Sequence, residues 1–428
     1  MLMTRQQVDE DEFVDADEAA RLLDVQKATV YAYASRGLVR RMASSEGRSR
    51  RYRKSDLLRL RARSEARSGH AAVATGALRW GEPVLDTAIS GITPEGALYR
   101  GKNSVELAKR GARFEHVCEW LWRETWPTHE TRFEAQLPKG ISALVKLVSA
   151  GARPIERWMI ALPWLSVRET SLDTSDEATC TLARTLMRQL AALLACTPES
   201  EARIESALVE RTIAGAFLVA LGVPSTPKSR AAVDAALILM ADHELNSSTF
   251  AARVAASTGA SLHAILMAAL ATFSGPIHGG SCERVELLAL TAEAPEDALR
   301  IVRDKLRRKE PIPGFGHPLY PEGDPRTEPL FALAEELAPR TGERARNYRR
   351  VRAFVDAMQL AGGEKPAVDS GLVAIAAALG LPRGGATALM GMGRIAGWVA
   401  HAMEQRHAAV QLRPRARYRP TSETNVPV

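Results

Sequence analysis

The sequence predicts a mainly α-helical protein, built as a small basic unit followed by a much larger helical body. Three observations carry that reading. Ala and Leu dominate the apolar set while aromatic residues are only 5%; Ala and Leu lose little rotamer freedom in a helix, whereas strands favour β-branched and aromatic side chains. Ala/Leu-rich segments punctuated by Gly and Pro fill most of the chain, without the strand-helix alternation of a doubly wound nucleotide fold. Residues 36–67 hold twelve Arg/Lys against three acids, which leaves the rest of the +7 chain near neutral.

A length of 428 residues suits two or three domains, and 46% hydrophobic residues suffice for a large core. The longest apolar runs, such as residues 213–223 and 372–381, fall short of the roughly 18 needed to span a membrane. The start, with Asp9, Glu10, Asp11 and Glu12, is unlike a basic and apolar signal peptide. Cys118, Cys180, Cys196 and Cys282 form no CxxC pair, so they read as reduced packing residues, with no disulfide framework and no metal site. A cytoplasmic protein is expected. The glycines at 391, 393 and 397 have the wrong spacing for dinucleotide binding, and no P-loop occurs.

The first unit spans residues 1–67. Asp15 or Asp17 can cap a helix that buries Ala19, Ala20, Leu22 and Leu23. Asp24, Val25 and Gln26 make a tight turn into a second helix over 28–35, closed by Gly37. Ser44 to Gly47 turn a hairpin whose return strand is 50–53, and Leu57, Leu58 and Leu60 start a third helix. Residues 68–80 read as a linker, 81–419 as the main body and 420–428 as a tail. The body opens with an alternating, turn-containing stretch over 86–101, expected as a short hairpin, and continues as packed helices.

Three ionisable residues interrupt Gly-rich or apolar settings. His278 ends an Ala-rich helix over 261–273 and precedes two glycines; His317 follows Gly-Phe-Gly; Asp369 precedes the apolar run 372–381. Glycines beside a histidine let a substrate approach the backbone closely. A second set is cationic. Arg326 follows Asp324-Pro325, Arg394 sits in an otherwise uncharged helix, and Arg413 opens an Arg-Pro-Arg segment. A guanidinium on an apolar helix needs a partner, either a nearby carboxylate or a bound one. Its fork suits a carboxylate, and three such arginines suit a dicarboxylate.

The stretches VQKATVYAYASRGLVRR and RSRRYRKSDLLRL resemble the MerR-type winged helix-turn-helix. The resemblance implies DNA as a partner, with Lys27, Thr29, Tyr31 and Tyr33 at or beside the major groove and Arg48, Arg50, Arg51 and Arg53 on the phosphates. A unit kept for packing, dimerisation or protein contacts is the alternative.

The stretches LMADHELNSSTF, GPIHGGSCERV, PGFGHPLYPEGDPR, VDSGLVAIAAALGLP, MGRIAGWVAHAMEQR and LRPRARY resemble the motifs of the citrate synthase family, in family order, over residues 81–418. The resemblance implies a large helical domain plus a smaller helical domain at about 282–375. It implies condensation of a short acyl-CoA with oxaloacetate, then hydrolysis of the thioester, with no cofactor beyond the substrates. His278 would stabilise the enol, Asp369 would take the α-proton, and His317 would donate to the oxaloacetate carbonyl. His243, Arg326, Arg394 and Arg413 would hold oxaloacetate, Arg413 from the neighbouring subunit of a homodimer.

Departures bear on the substrate. Met240 stands where the family often has His, and Pro318 where a basic residue could meet CoA phosphate. Ser370 and Gly371 replace aromatics after Asp369, which is expected to widen the space beside the base. A different class of reading is a DNA-binding regulator whose synthase-like body senses a metabolite.

Overall fold

The computed structural model describes residues 13–414 apart from 24, 36–37, 44–49, 55, 58–84, 170, 172 and 199. The chain divides into two compact units: Thr87–Leu412, and the residues before and after it.

In the first unit a strand β1 (Phe13–Val14) leads into helices α1 (Ala16–Leu23) and α2 (Lys27–Ser35), followed by β2 (Arg41–Ala43) and β3 (Arg50–Arg53). The three strands form an antiparallel sheet in the order β1-β3-β2, with Tyr52 opposite both Val14 and Arg41. Asp15, not Asp17, caps α1: its Oδ1 accepts from the Glu18 amide at 2.8 Å. Asp17 instead pairs with Lys27 at 2.5 Å. Val14, Ala19, Val30, Ala34, Val39, Tyr52 and Leu57 make the core, with Ala20, Leu22 and Leu23 packed partly buried against it. Arg40 anchors the strand entry with a forked contact to the buried Asp56. The expected hairpin turn at 44–47, Gly37, Arg48, the helix beyond Leu57, the linker and the tail lie outside the described residues.

The second unit opens with β4 (Ser90–Thr93), β5 (Gly96–Tyr99) and the two-residue β6 (Lys102–Asn103), a three-stranded antiparallel sheet rather than a lone hairpin. Helices follow without a further named strand among the described residues: α3 (Ser104–Lys109), α4 (Phe114–Arg123), α5 (Ile141–Leu147), α6 (Pro154–Ser166), α7 (Asp176–Leu193), α8 (Glu201–Leu208), α9 (Ile213–Ala220), α10 (Pro227–Leu239), α11 (Ser247–Ala256), α12 (Leu262–Phe273), α13 (Ser281–Leu290), α14 (Pro295–Arg307), α15 (Thr327–Leu337), α16 (Gly342–Leu360), α17 (Val368–Leu379) and α18 (Gly385–Ala408). None of the described helices is long and apolar enough to cross a membrane. All four cysteines are free and buried.

Helix α18 is the axis of this unit, buried almost continuously from Gly385 to Met403 and packed against α4, α10, α11, α12 and α17. A helix so apolar on every side is stable only inside a core. Its glycines 393 and 397 form a seam that admits the end of α10. A Cβ on Gly393 would lie 2.7 Å from the Leu237 carbonyl, and one on Gly397 would strike Asp242. The Gly397 amide donates to the Ala241 carbonyl at 2.9 Å. The same seam therefore sets the Asp242-His243 turn beside Arg394. Met240, in that turn, is fully buried against Gly393, so it serves the core.

Candidate functional site

Three segments of Thr87–Leu412 carry His278, His317 and Asp369. The first is the loop 274–280 between α12 and α13, which carries His278. Its two glycines are required by the chain itself. A Cβ on Gly279 would enter the Phe273 ring, and one on Gly280 would lie 2.9 Å from the Gly275 carbonyl. His278 is half-buried; its Nε2 meets Ser248 Oγ at 2.8 Å, and its ring lies edge-on to Phe273 at 5.4 Å. Ser248 Oγ also accepts from Trp398 Nε1 at 3.2 Å, so α11, α12 and α18 jointly fix the imidazole. Burial, and then the Arg394 charge, push the His278 pKa down to about 4.

The second segment carries His317. Gly314 and Gly316 hold positive φ (84° and 73°), where side chains are strained, and Phe315 bridges to Pro366. The Gly316 amide donates to the Lys365 carbonyl at 2.9 Å and the Ala367 amide to the Gly314 carbonyl at 2.8 Å. His317 is thereby tied to the segment that starts α17 and so to Asp369. It also sits edge-on to His243, ring centres 5.4 Å apart, with Tyr320 5.1 Å from it. Burial and the Arg326 charge lower the His317 pKa. His243 is buried, meets Tyr320 Oη at 3.2 Å, and is held well below the ordinary histidine range by burial, Arg326 and Arg394. All three imidazoles are therefore neutral at pH 7.

The third segment is the start of α17. Asp369 Oδ1 accepts from Ser281 Oγ and, at 3.4 Å, from Cys282 Sγ. Ser370 and Gly371 do not widen the space beside it. The Ser370 hydroxyl donates to the Gly314 carbonyl at 2.7 Å, and a Cβ on Gly371 would lie 2.9 Å from Leu330. The two small residues are what lets α17 seat against the His317 loop and α15.

The arginines differ from one another. Arg326 is fully buried and forked onto Asp324, Nη2 to Oδ2 at 2.7 Å and Nε to Oδ1 at 2.9 Å. Burial opposes its charge, but Asp324 outweighs it and holds the pKa above the ordinary value. Asp324 also accepts from the Val368 amide at 3.2 Å, which couples Arg326 to the start of α17. Arg326 Nη1 has no partner. Arg394 is 5% exposed, and neither its Nε nor its Nη1 is hydrogen-bonded. Burial lowers its pKa, partly offset by Asp242. Asp242 is engaged elsewhere: its Oδ2 takes Ser90 Oγ, the Glu244 amide at 3.0 Å and His401 Nε2 at 3.3 Å. Three buried guanidinium nitrogens, on two arginines whose charges act on His243 and Tyr320, are thus unsatisfied, a cost of several kcal/mol that a bound anion would remove. Arg413 is exposed and lies one residue beyond the compact unit.

Ser248, Trp398, Tyr320, Asp324 and Ser281 were not singled out in the sequence, although each lies inside or beside a quoted motif. Ser248, Trp398 and Ser281 act through contacts across the fold that no local spacing signals, whereas Asp324 stands only two residues from Arg326, a spacing that signals the pair. A separate groove of about 710 Å³, between residues 132–141 and α8, contains none of these groups. Among the described residues no set of three or more His, Cys, Asp or Glu is placed to hold a metal ion.

In the first unit, Lys27, Tyr31, Arg50 and Arg51 are exposed and Thr29, Tyr33 and Arg53 half-buried. Arg48 lies outside the described residues.

Residues 77–415 match the model for the citrate synthase C-terminal domain, and residues 13–64 match a helix-turn-helix domain. Citrate synthase 2 of Bacillus subtilis is 30% identical over 80% of this chain and 95% of its own. The 2-methylcitrate synthase of Shewanella oneidensis is 30% identical over 80% of this chain and 94% of its own. A Thermoplasma acidophilum citrate synthase, solved with carboxymethyl coenzyme A and oxaloacetate, has the same fold. It superposes with a TM-score of 0.71 over 83% of this chain and 98% of its own, at 23% identity. Matched by that model over most of its length and 30% identical to those synthases, the chain belongs to the citrate synthase family.

Proposed function

We propose that the protein condenses a short acyl-CoA with oxaloacetate and hydrolyses the resulting thioester, giving citrate or 2-methylcitrate and free CoA. The observation that carries this is the group of unsatisfied guanidinium donors on Arg394 and Arg326 beside neutral His243. It is a ready-made seat for a small dicarboxylate.

The chemistry follows from proton positions. Removing an α-proton from a thioester needs a carboxylate base and a donor aimed at the developing enolate oxygen. Asp369 is the base. Ser248 Oγ accepts from Trp398 Nε1, gives its hydrogen to Asn246 Oδ1 at 2.8 Å and holds the His278 ring through Nε2, and His278 is the donor to the thioester oxygen. A neutral imidazole suits this task, because its acidity lies nearer that of an enol than an imidazolium's does. The enol carbon then attacks the oxaloacetate carbonyl, with His317 donating a proton to the new alkoxide. Arg326, Arg394 and His243 hold oxaloacetate, joined by Arg413 of the partner subunit in a homodimer. Helices between about 282 and 375 form a smaller domain that closes on the larger one and excludes water until condensation is done.

The test is thiol release from acetyl-CoA or propionyl-CoA with oxaloacetate. Turnover in the wild type that disappears in Asp369→Ala supports the reading, and silence with both acyl-CoA substrates in folded protein overturns it. A second reading concerns the basic N-terminal unit, whose exposed Lys27, Tyr31, Arg50 and Arg51 favour DNA as a partner. It adds to the enzymatic one; a body that only senses a metabolite for a regulator leaves the Ser281-Asp369 contact without a task.

A further inference from the structure

We propose that Ser281 is a positioning residue for Asp369: its hydroxyl, seconded by the Cys282 thiol, clamps Oδ1 of the base and leaves Oδ2 as the oxygen that takes the substrate proton. This rests on the synthase reading of the same site. The geometry is local to one helix turn. Ser281 and Cys282 are the first two residues of α13, and both direct their side-chain donors at the same carboxylate oxygen. The Ser281 amide donates back to the His278 carbonyl at 2.9 Å. One turn of chain therefore fixes both halves of the enolisation apparatus, the donor His278 in front and the base Asp369 behind. Movement of α13 relative to α17 would misalign both together.

Hydrogen bonds donated to a carboxylate favour its charged form. When a proton arrives at Oδ2 the charge on Oδ1 falls, and the bonds from Ser281 and Cys282 weaken. The clamp therefore acts on orientation: it stops the carboxylate from rotating and keeps Oδ2 free for the substrate. The hydroxyl is the principal donor, since a thiol at 3.4 Å is the weaker one. The other charged or titratable groups around this end of α17 are Glu286 and the Arg153-paired Glu283 on α13, His317 in its loop, and the Asp324–Arg326 pair ahead of α15. From α16, Arg344 reaches only the Ala378 carbonyl at the far end. All of these persist when the serine hydroxyl is removed, so the comparison isolates the clamp.

The experiment is the split of kcat and KM for thiol release in wild type, Ser281→Ala, Ser281→Thr and Cys282→Ala. Ser281→Ala is expected to lower kcat about tenfold with KM for both substrates unchanged, the size of one charge-assisted hydrogen bond. Ser281→Thr keeps the hydroxyl and restores kcat, and Cys282→Ala gives a smaller loss of kcat. A kcat in Ser281→Ala equal to that of the wild type overturns the clamp, as does failure of Ser281→Thr to rescue. A second measurement needs no turnover: urea midpoints for Ser281→Ala, Asp369→Asn and the double variant. Non-additive effects support the clamp and additive ones overturn it. Wild-type protein that releases no thiol sinks the synthase reading, while the cycle still decides the contact.

Discussion

At the scale of single residues, the site is a set of groups held in forms that water would not favour. Arg394 is the plainest case, a buried guanidinium whose Nε and Nη1 have no protein partner. A buried guanidinium whose donors are left unmet costs free energy in the folded state. Arg394→Met should therefore leave the urea midpoint unchanged or raise it, while KM for oxaloacetate rises about a hundredfold. A variant that is destabilised without a change in KM would assign Arg394 to the core instead. The histidines make a pH prediction. His278 is depressed to about 4 from an ordinary 6.5, so the unfolded chain takes up its proton first as pH falls. The stability it contributes is complete above pH 6.5 and is lost as pH falls toward 4. His243 and His317 are shifted in the same direction. Urea midpoints should fall between pH 7 and pH 4.5, and less steeply in His278→Gln, which cannot be charged. Equal slopes in the two proteins would contradict this.

At the scale of elements, glycines decide where helices can sit. The His278 loop depends on Gly279, whose Cβ would enter the Phe273 ring. Gly279→Ala should cost about 1–3 kcal/mol by overpacking and should depress turnover by displacing His278, as unfolding and thiol-release assays will show. The helical class, the small basic unit and the three histidine and aspartate positions were legible in the sequence, because Ala/Leu content and interrupted apolar runs are local signals. The uses of small residues were not. Gly279 and Gly280 read as room for a substrate, yet they answer to Phe273 and Gly275. Ser370 and Gly371 read as widened space, yet they seat α17 on Gly314 and Leu330. Gly391, Gly393 and Gly397 read only as a failed nucleotide pattern, although the last two admit the turn carrying Asp242 and His243. A glycine shows that something must come close; what comes close is a property of the tertiary fold. The same limit applies to Arg394, which, unlike Arg326 forked onto Asp324, keeps its Nε and Nη1 without a partner.

At the scale of the whole molecule, a synthase body and a helix-turn-helix unit share one chain. Lys and Arg contacts to phosphate release counterions, so affinity for DNA falls steeply with salt. If Arg50 and Arg51 meet the backbone, replacing both by Ala should weaken binding on all sequences alike. It should also reduce the slope of log affinity against log salt by about two. An unchanged slope in the full-length double variant would remove both residues from the interface. The central claim is the enzymatic one, and thiol release from acetyl-CoA and propionyl-CoA with oxaloacetate, in wild type and Asp369→Ala, tests it most directly. The account predicts oxaloacetate-dependent release in the wild type that is lost in the variant, with the ratio of the two rates naming the acyl group. No release from either thioester, in folded wild-type protein, would contradict it.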